Sequence, residues 1–447
     1  MRFVAVALIL LAIPLLHGWM RQSVRNRHLV WMAIGLLPFT IGAFHLDASI
    51  ISWAMWPGYV KGLLVSLLDA AAVAVLLTMS GGRGRTPFAW LIGGYIAVAA
   101  LAIAFADIKM AAFFFAWQLG RVLLVMLAVS RIASRPEGAR YVLYGILAGA
   151  IFQAVFSVWE HLHGVAQAAG TMGHQNLLGL MLHFAAYPAL ALMLAGRRDK
   201  ILLIGFAASL LAMMLTGSRG TIGIAAAGVG VLVLMSLLRR PTGRKSAIAG
   251  AGLAVLLIAA PLGFSTLAKR LSADSIASSN EEREAFKRAA WLMIRDHPMG
   301  VGANQYVVAA NGGGYSARAG VVWNASSRSA NVHNTYLLMT AELGYLGGAA
   351  FMLLMLLPPL AAFRYAWADR RDPRGELALG LGVALAAVAV HCLFEWVYVI
   401  YPVQYLHGIG LGLLAGLIRQ RQRETRPKRP PLAVNVPALS RPVGAAA

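Results

Sequence analysis

Apolar positions in this chain fall into runs rather than into the alternations of half-buried strands or amphipathic helices. Windows of about 20 predominantly apolar residues lie near 3–20, 29–46, 60–79, 88–106, 110–130, 141–159, 177–195, 201–216, 221–238, 247–267, 334–363, 376–397 and 403–418. They predict an all-α polytopic integral membrane protein with about 12 to 13 transmembrane helices. With a cytoplasmic tail, an odd count puts the N-terminus outside and an even count puts it inside. The first run, Phe3 to Leu16, follows Arg2 as a signal-peptide core would. No Ala-x-Ala site follows it, and His17, Trp19 and Arg21 suit interfacial anchors, so a retained helix is predicted.

The polar positions divide into two kinds of connection. Short ones are basic: Arg21, Arg25 and Arg27; Arg83 and Arg85; Arg131, Arg135 and Arg140; Arg197, Arg198 and Lys200; Arg239, Arg240, Arg244 and Lys245; Arg364, Arg370, Arg371 and Arg374. Their recurrence after every second run assigns them to the cytoplasm by the positive-inside rule. Three others, 160–176, 216–221 and 268–333, are polar and Gly-rich and belong on the opposite side. The chain therefore divides into N-terminal transmembrane helices (1–267), an outer loop (268–333), C-terminal transmembrane helices (334–418) and a basic, Pro-rich tail (419–447). Inside the loop, 280–296 (NEEREAFKRAAWLMIRD) has the spacing of an amphipathic helix. Phe286, Ala289, Ala290 and Met293 form its apolar face and Asn280 its N-cap, with acidic residues in the first turn where the dipole favours them.

Composition agrees with this class: 59% of residues are hydrophobic, 13% are charged and the mean hydropathy is +0.69. The formal net charge of +22 would suggest nucleic acid in a soluble protein. Here the cations lie between spans rather than on a folded basic surface, so no nucleic-acid partner is expected. The single cysteine, Cys392, sits in an apolar run and offers neither a disulfide nor a thiolate metal site.

Candidate chemistry gathers where polar segments re-enter the membrane. Asn331-Val332-His333-Asn334-Thr335-Tyr336 places an imidazole, an amide and a phenol at the start of a span. The helix dipole there favours the neutral imidazole, the form that can act as a general base; a structural hydrogen bond is the plainer role. Glu342 and Gly344 continue that helix, the carboxylate needing a partner and the glycine allowing close packing. Thr216-Gly217-Ser218-Arg219-Gly220 is a tight turn whose guanidinium and backbone N–H groups suit a phosphate, or a lipid headgroup. Lys287 and Arg288 lie on the polar face of the amphipathic helix, where an ordinary ion pair with Glu284 would also explain Arg288. Gln175 and Asn176 close a Gly-rich segment that opens another span, and His297 follows the amphipathic helix. The pairs His391 with Glu395 and Glu160 with His163 lack a convincing third ligand, so no metal is expected.

Together these segments resemble the O-antigen ligase family of the wider O-antigen ligase and polymerase superfamily. The resemblance rests on Gly170-Thr-Met-Gly-His-Gln-Asn176, Thr216-Gly-Ser-Arg219, Arg288-x-x-Trp291, His297-Pro-Met-Gly-Val-Gly302, and His333-Asn-Thr-Tyr336 followed by Glu342-Leu-Gly344. It covers roughly 140–370. It implies a GT-C-like, inverting, metal-independent and cofactor-free glycosyltransferase of the Gram-negative inner membrane. Such an enzyme moves O-antigen from undecaprenyl pyrophosphate to the core sugar of lipid A at the periplasmic face. The family's catalytic histidine falls on His333 and its pyrophosphate-binding arginines on Arg219 and Arg288, with Ser218, Lys287, Gln175, Asn176, Asn334, Tyr336, Glu342 and His297 as supporting residues. Bilayer lipids are the remaining partner. An O-antigen polymerase or a protein O-oligosaccharyltransferase would use the same donor, and a lipid-linked sugar transporter would instead place polar groups at the bilayer midplane of repeated halves.

Overall fold

The computed structural model describes residues 2–79, 85–252 and 275–425, with the backbone alone for 275–280. The protein is an all-α polytopic membrane protein. The described residues of the N-terminal part include the helices α1 (Arg2–Gln22), α2 (Val24–Leu36), α3 (Leu67–Thr78), α4 (Ala89–Ala102), α5 (Lys109–Ala133), α6 (Gly138–Leu162), α7 (Gln175–Leu194), α8 (Lys200–Leu215) and α9 (Arg219–Arg239). A further helical stretch covers 243–252. Then come α10 (Ser275–Asp296), the short α11 (Tyr306–Gly312), α12 (Tyr315–Arg318) and α13 (Ala325–Arg328), and finally α14 (Thr335–Ala368), α15 (Arg374–His391) and α16 (Tyr401–Thr425).

Among the described residues, seven helices are long and apolar enough to cross a membrane: α1, α5, α6, α7, α9, α14 and α15. Shorter apolar helices at Leu67–Thr78, Ala89–Phe105 and Lys200–Leu215 accompany them. Burial separates two roles. Helices α7 and α15 are enclosed almost entirely by protein, whereas the apolar surface of α1 is left outward, as a lipid-facing helix requires.

The windows at 29–46 and 60–79 are not continuous helices. The window at 29–46 stops at Leu36, where Pro38 opens a 3-10 turn. The window at 60–79 begins as a strand, Gly62–Ser66, paired antiparallel with Asp47–Ser52 through a bulge between Ser49 and Ile51. Ser66 then caps α3 reciprocally with Asp69. Asp69 is partnered within the protein: Arg121 donates to it at 2.8 Å and the Tyr405 hydroxyl also donates to it. Most of the 247–267 window, Arg83, and the tail from 426 onward lie outside the described residues. Helix α16 carries Arg419, Arg421 and Arg423, so the first residues assigned to the tail continue the last helix.

The segment after α10 is fastened to α14 in part by backbone hydrogen bonds. Val301 N–H donates to Ala341 O at 3.0 Å, Gly302 N–H to Glu342 O at 2.9 Å and Tyr345 N–H to Pro298 O at 3.1 Å. These bonds require a break in α14, which Gly344 supplies with φ 70° and ψ −175°. A Cβ at Gly344 would stand 2.4 Å from Pro298 O, so only glycine fits the approach.

Candidate active site

His333 immediately precedes α14, whose N-cap, Asn334, accepts a hydrogen bond from Leu337 N–H at 3.0 Å. This cap fixes where the helix begins and therefore where the imidazole sits. His333 Nδ1 lies 3.0 Å from Glu395 Oε2. Glu395 belongs to the turn between α15 and α16, and Thr335 holds that turn against α14. Thr335 Oγ1 donates to Glu395 O at 2.6 Å, and Thr335 N–H donates to Cys392 O at 2.8 Å.

The other carboxylate oxygen of Glu395 accepts from Asn176 Nδ2 at 2.7 Å and from Arg283 Nη2 at 3.2 Å. One acid thus joins the starts of α7 and α14 to the outer helix α10. Burial alone would raise the Glu395 carboxyl, but the hydrogen bond and charge of His333, with Arg283 and His391 beyond, hold it below the usual carboxylate range. It is an ionised acceptor at neutral pH. Glu395 is 5% exposed at its side chain and His333 23%. A carboxylate on Nδ1 selects the tautomer with hydrogen there and leaves Nε2 as the free lone pair. Nε2 has no hydrogen-bond partner among the described residues.

His174 caps α7 and is an electrostatic neighbour of the pair. Burial lowers its imidazole below the ordinary value, Glu395 opposes that shift and His333 reinforces it. Phe286 packs beside His333 with ring centroids 5.9 Å apart.

Helix α10 departs from expectation in two ways. It starts at Ser275, so Asn280 lies within it rather than at its cap. Its apolar face is as read from the sequence, with Phe286, Ala289, Ala290 and Met293 buried. The ion pair with Glu284 is made by Lys287, at 2.7 Å, and not by Arg288. Arg288 is exposed and donates through Nε and Nη2 to Ala319 O at 3.3 and 3.0 Å. At 3.6 residues per turn, Arg288 lies roughly 200° around the helix from Phe286, while Arg283 lies only about 60° away. Arg283 is therefore the cation of this helix that touches the His333–Glu395 pair.

Arg219 is the first residue of α9, exposed and without a hydrogen-bond or ion-pair partner among the described residues. Ser218 caps that helix, its Oγ accepting from Thr221 N–H at 3.3 Å. Ala168 N–H donates to Leu215 O at 3.0 Å, which ties the end of α8 to the loop that leads into α7. Arg219 is thereby placed at the end of the bundle that carries Asn176 and His333.

Other expected supporting residues take structural positions. Glu342 is fully buried and accepts from the N–H groups of Asn304, Gln305 and Tyr306 at 2.8 to 2.9 Å and from the Tyr59 hydroxyl. Tyr336 Oη donates to Ala389 O at 2.9 Å, joining α14 to α15. His297 Nε2 pairs with Tyr315 Oη at 2.9 Å, and Gln175 Nε2 reaches Gln167 Oε1 at 3.5 Å. Glu160 accepts from Ala169 and Gly170 N–H groups instead of pairing with His163. Among the described residues, no group of three or more His, Cys, Asp or Glu side chains is arranged to hold a metal ion.

Residues 204–352 match the family model for O-antigen ligase. The matched stretch is less than half of the chain and holds Arg219, Arg288 and His333. Asn176 and Glu395 contact the site from outside it. No curated protein matches the chain.

Proposed function

We propose that the protein is an O-antigen ligase of the Gram-negative inner membrane. It transfers O-antigen from undecaprenyl pyrophosphate to the core sugar of lipid A at the periplasmic face, with inversion and without a metal. The observation that carries this reading is the His333–Glu395 pair, with Nε2 of His333 unpartnered among the described residues and Arg283 of α10 on the same carboxylate, His333 and Arg283 both lying in the matched stretch.

The donor already carries a good leaving group. The protein must supply a base for the acceptor hydroxyl and positive charge for the departing pyrophosphate. His333 Nε2 takes the hydroxyl proton as the oxygen attacks the anomeric carbon from the face opposite the pyrophosphate. Glu395 keeps the imidazole in the competent tautomer and stabilises the imidazolium that forms. Arg219 and Arg288 bind the pyrophosphate, where planar guanidinium groups match its oxygens. Arg219 is free to do so as it stands. Arg288 exchanges the Ala319 carbonyl for a phosphate oxygen, a stronger, charge-assisted acceptor.

The test is transfer in detergent from lipid-linked O-antigen to core-lipid A, with wild type beside folded His333→Ala and Arg288→Ala. Ligated product from wild type alone is expected. Chain extension of the polyprenyl donor without ligation would make the protein a polymerase, and full activity of His333→Ala would remove the base.

A further inference from the structure

A cavity of about 450 Å³ opens at the turn between α7 and α8, lined by the apolar Met193 and Leu203 and by the charged Arg197, Arg198, Asp199, Lys200 and Arg244. Helix α7 starts at the His333 site and ends here, and its 20 residues at 1.5 Å each set the two places about 30 Å apart. The cavity therefore lies at the opposite end of α7 from the His333 site.

The turn is built rather than loose. Gly196 takes φ 100°, and Arg244 clamps the turn from the 243–252 helix, its Nη1 donating to Gly196 O at 3.2 Å and its Nη2 to Arg197 O at 2.9 Å. The only lining carboxylate, Asp199, is already matched by Arg197 at 3.2 Å and Arg140 at 3.6 Å. Arg198 and Lys200 are exposed and have no hydrogen-bond or ion-pair partner among the described residues. Beside them, Leu203 and Ile204 present apolar side chains outward, 58% and 53% exposed.

We propose that this cavity binds the headgroup phosphate of an anionic glycerophospholipid. Unpaired cations of the lining meet the phosphate, and Met193 and Leu203 lie along the first part of an acyl chain. Basic residues that merely set topology need neither a cavity nor an apolar lining. The paired Asp199 leaves an excess of positive charge that favours a net-negative headgroup over a zwitterionic one.

The test uses the full-length protein purified in detergent, exposed to mixed micelles of phosphatidylglycerol or phosphatidylcholine, and native mass spectrometry to count retained lipid. Wild type is expected to keep phosphatidylglycerol preferentially. Arg198→Ala combined with Lys200→Ala should retain it roughly tenfold or more weakly, since each cation near a lipid surface contributes on the order of 1 kcal/mol. The charge-keeping pair Arg198→Lys with Lys200→Arg should retain it as wild type does, which separates charge from folding. Millimolar inorganic phosphate should not displace the lipid. Equal retention of phosphatidylcholine, undiminished retention in the double alanine variant, or displacement by phosphate alone would each overturn the proposal.

Discussion

His333 Nδ1 and Glu395 Oε2 stand 3.0 Å apart although 62 positions separate them in the chain. The contact orients one ring nitrogen and leaves the other without a partner among the described residues, which is the geometry the proposed base requires. Removing the base should cost about 100 to 10,000-fold in rate. His333→Ala is expected to lose that much ligation while eluting as a monodisperse protein. Glu395→Gln should fall in the same range with little change in donor affinity, because the amide can offer N–H to Nδ1 and so favour the wrong tautomer. Steady-state transfer rates across donor concentrations check both.

The ionisation of Glu395 also sets a pH dependence of stability. Its folded carboxyl titrates below the ordinary carboxylate value, held down by His333 and Arg283 against the effect of burial. A depressed acid contributes stability above the unfolded pKa, about 4.3, and that contribution fades as pH falls through the folded value. The melting-temperature gap between wild type and Glu395→Gln should thus stay level from pH 8 to 5 and close below about 4. A gap that instead closed between pH 7 and 5 would mean that Glu395 is not held ionised.

The cations of α10 are not equivalent. Lys287 forms an exposed pair with Glu284, of a kind worth about 0 to 1 kcal/mol, so Lys287→Ala should transfer within a few-fold of wild type. Arg288→Ala and Arg219→Ala should each lose at least about 100-fold, the usual scale for removing a group that stabilises transition-state charge. Arg288→Lys should recover little, because lysine lacks the bidentate fork. Near-normal transfer by Arg288→Lys would count against a pyrophosphate contact through both guanidinium nitrogens.

How much of this was written in the sequence depends on the range of the interactions concerned. Apolar runs gave the all-α membrane class because the bilayer forces backbone polar groups into helices. The face of α10 was legible because Phe286, Ala289, Ala290 and Met293 repeat at helical spacing. Glu395 was visible only as an acid near His391, since its partners His333, Asn176 and Arg283 come from three distant elements. Arg283 looked like any solvated cation of NEEREAFK. The strand at Gly62–Ser66 was hidden inside an apolar window, where Leu63, Leu64 and Val65 suit a helix as well as a hairpin.

Glu342 was the reverse case, a carboxylate expected near the chemistry that the fold uses for itself. Its two oxygens take the N–H groups of three consecutive residues, Asn304 to Tyr306, as well as the Tyr59 hydroxyl. That anchors the outer segment, and the loop between the strands Asp47–Ser52 and Gly62–Ser66, to α14. Glu342→Ala would leave those donors buried and unpaired, at a cost of about 1 to 3 kcal/mol for each group that finds no new partner. The expected outcome is a lower melting temperature and poor yield, with the surviving folded fraction transferring sugar at a near-normal rate. Active-site titration separates the two quantities. If active-site concentration were unchanged and turnover collapsed, Glu342 would belong to the chemistry after all.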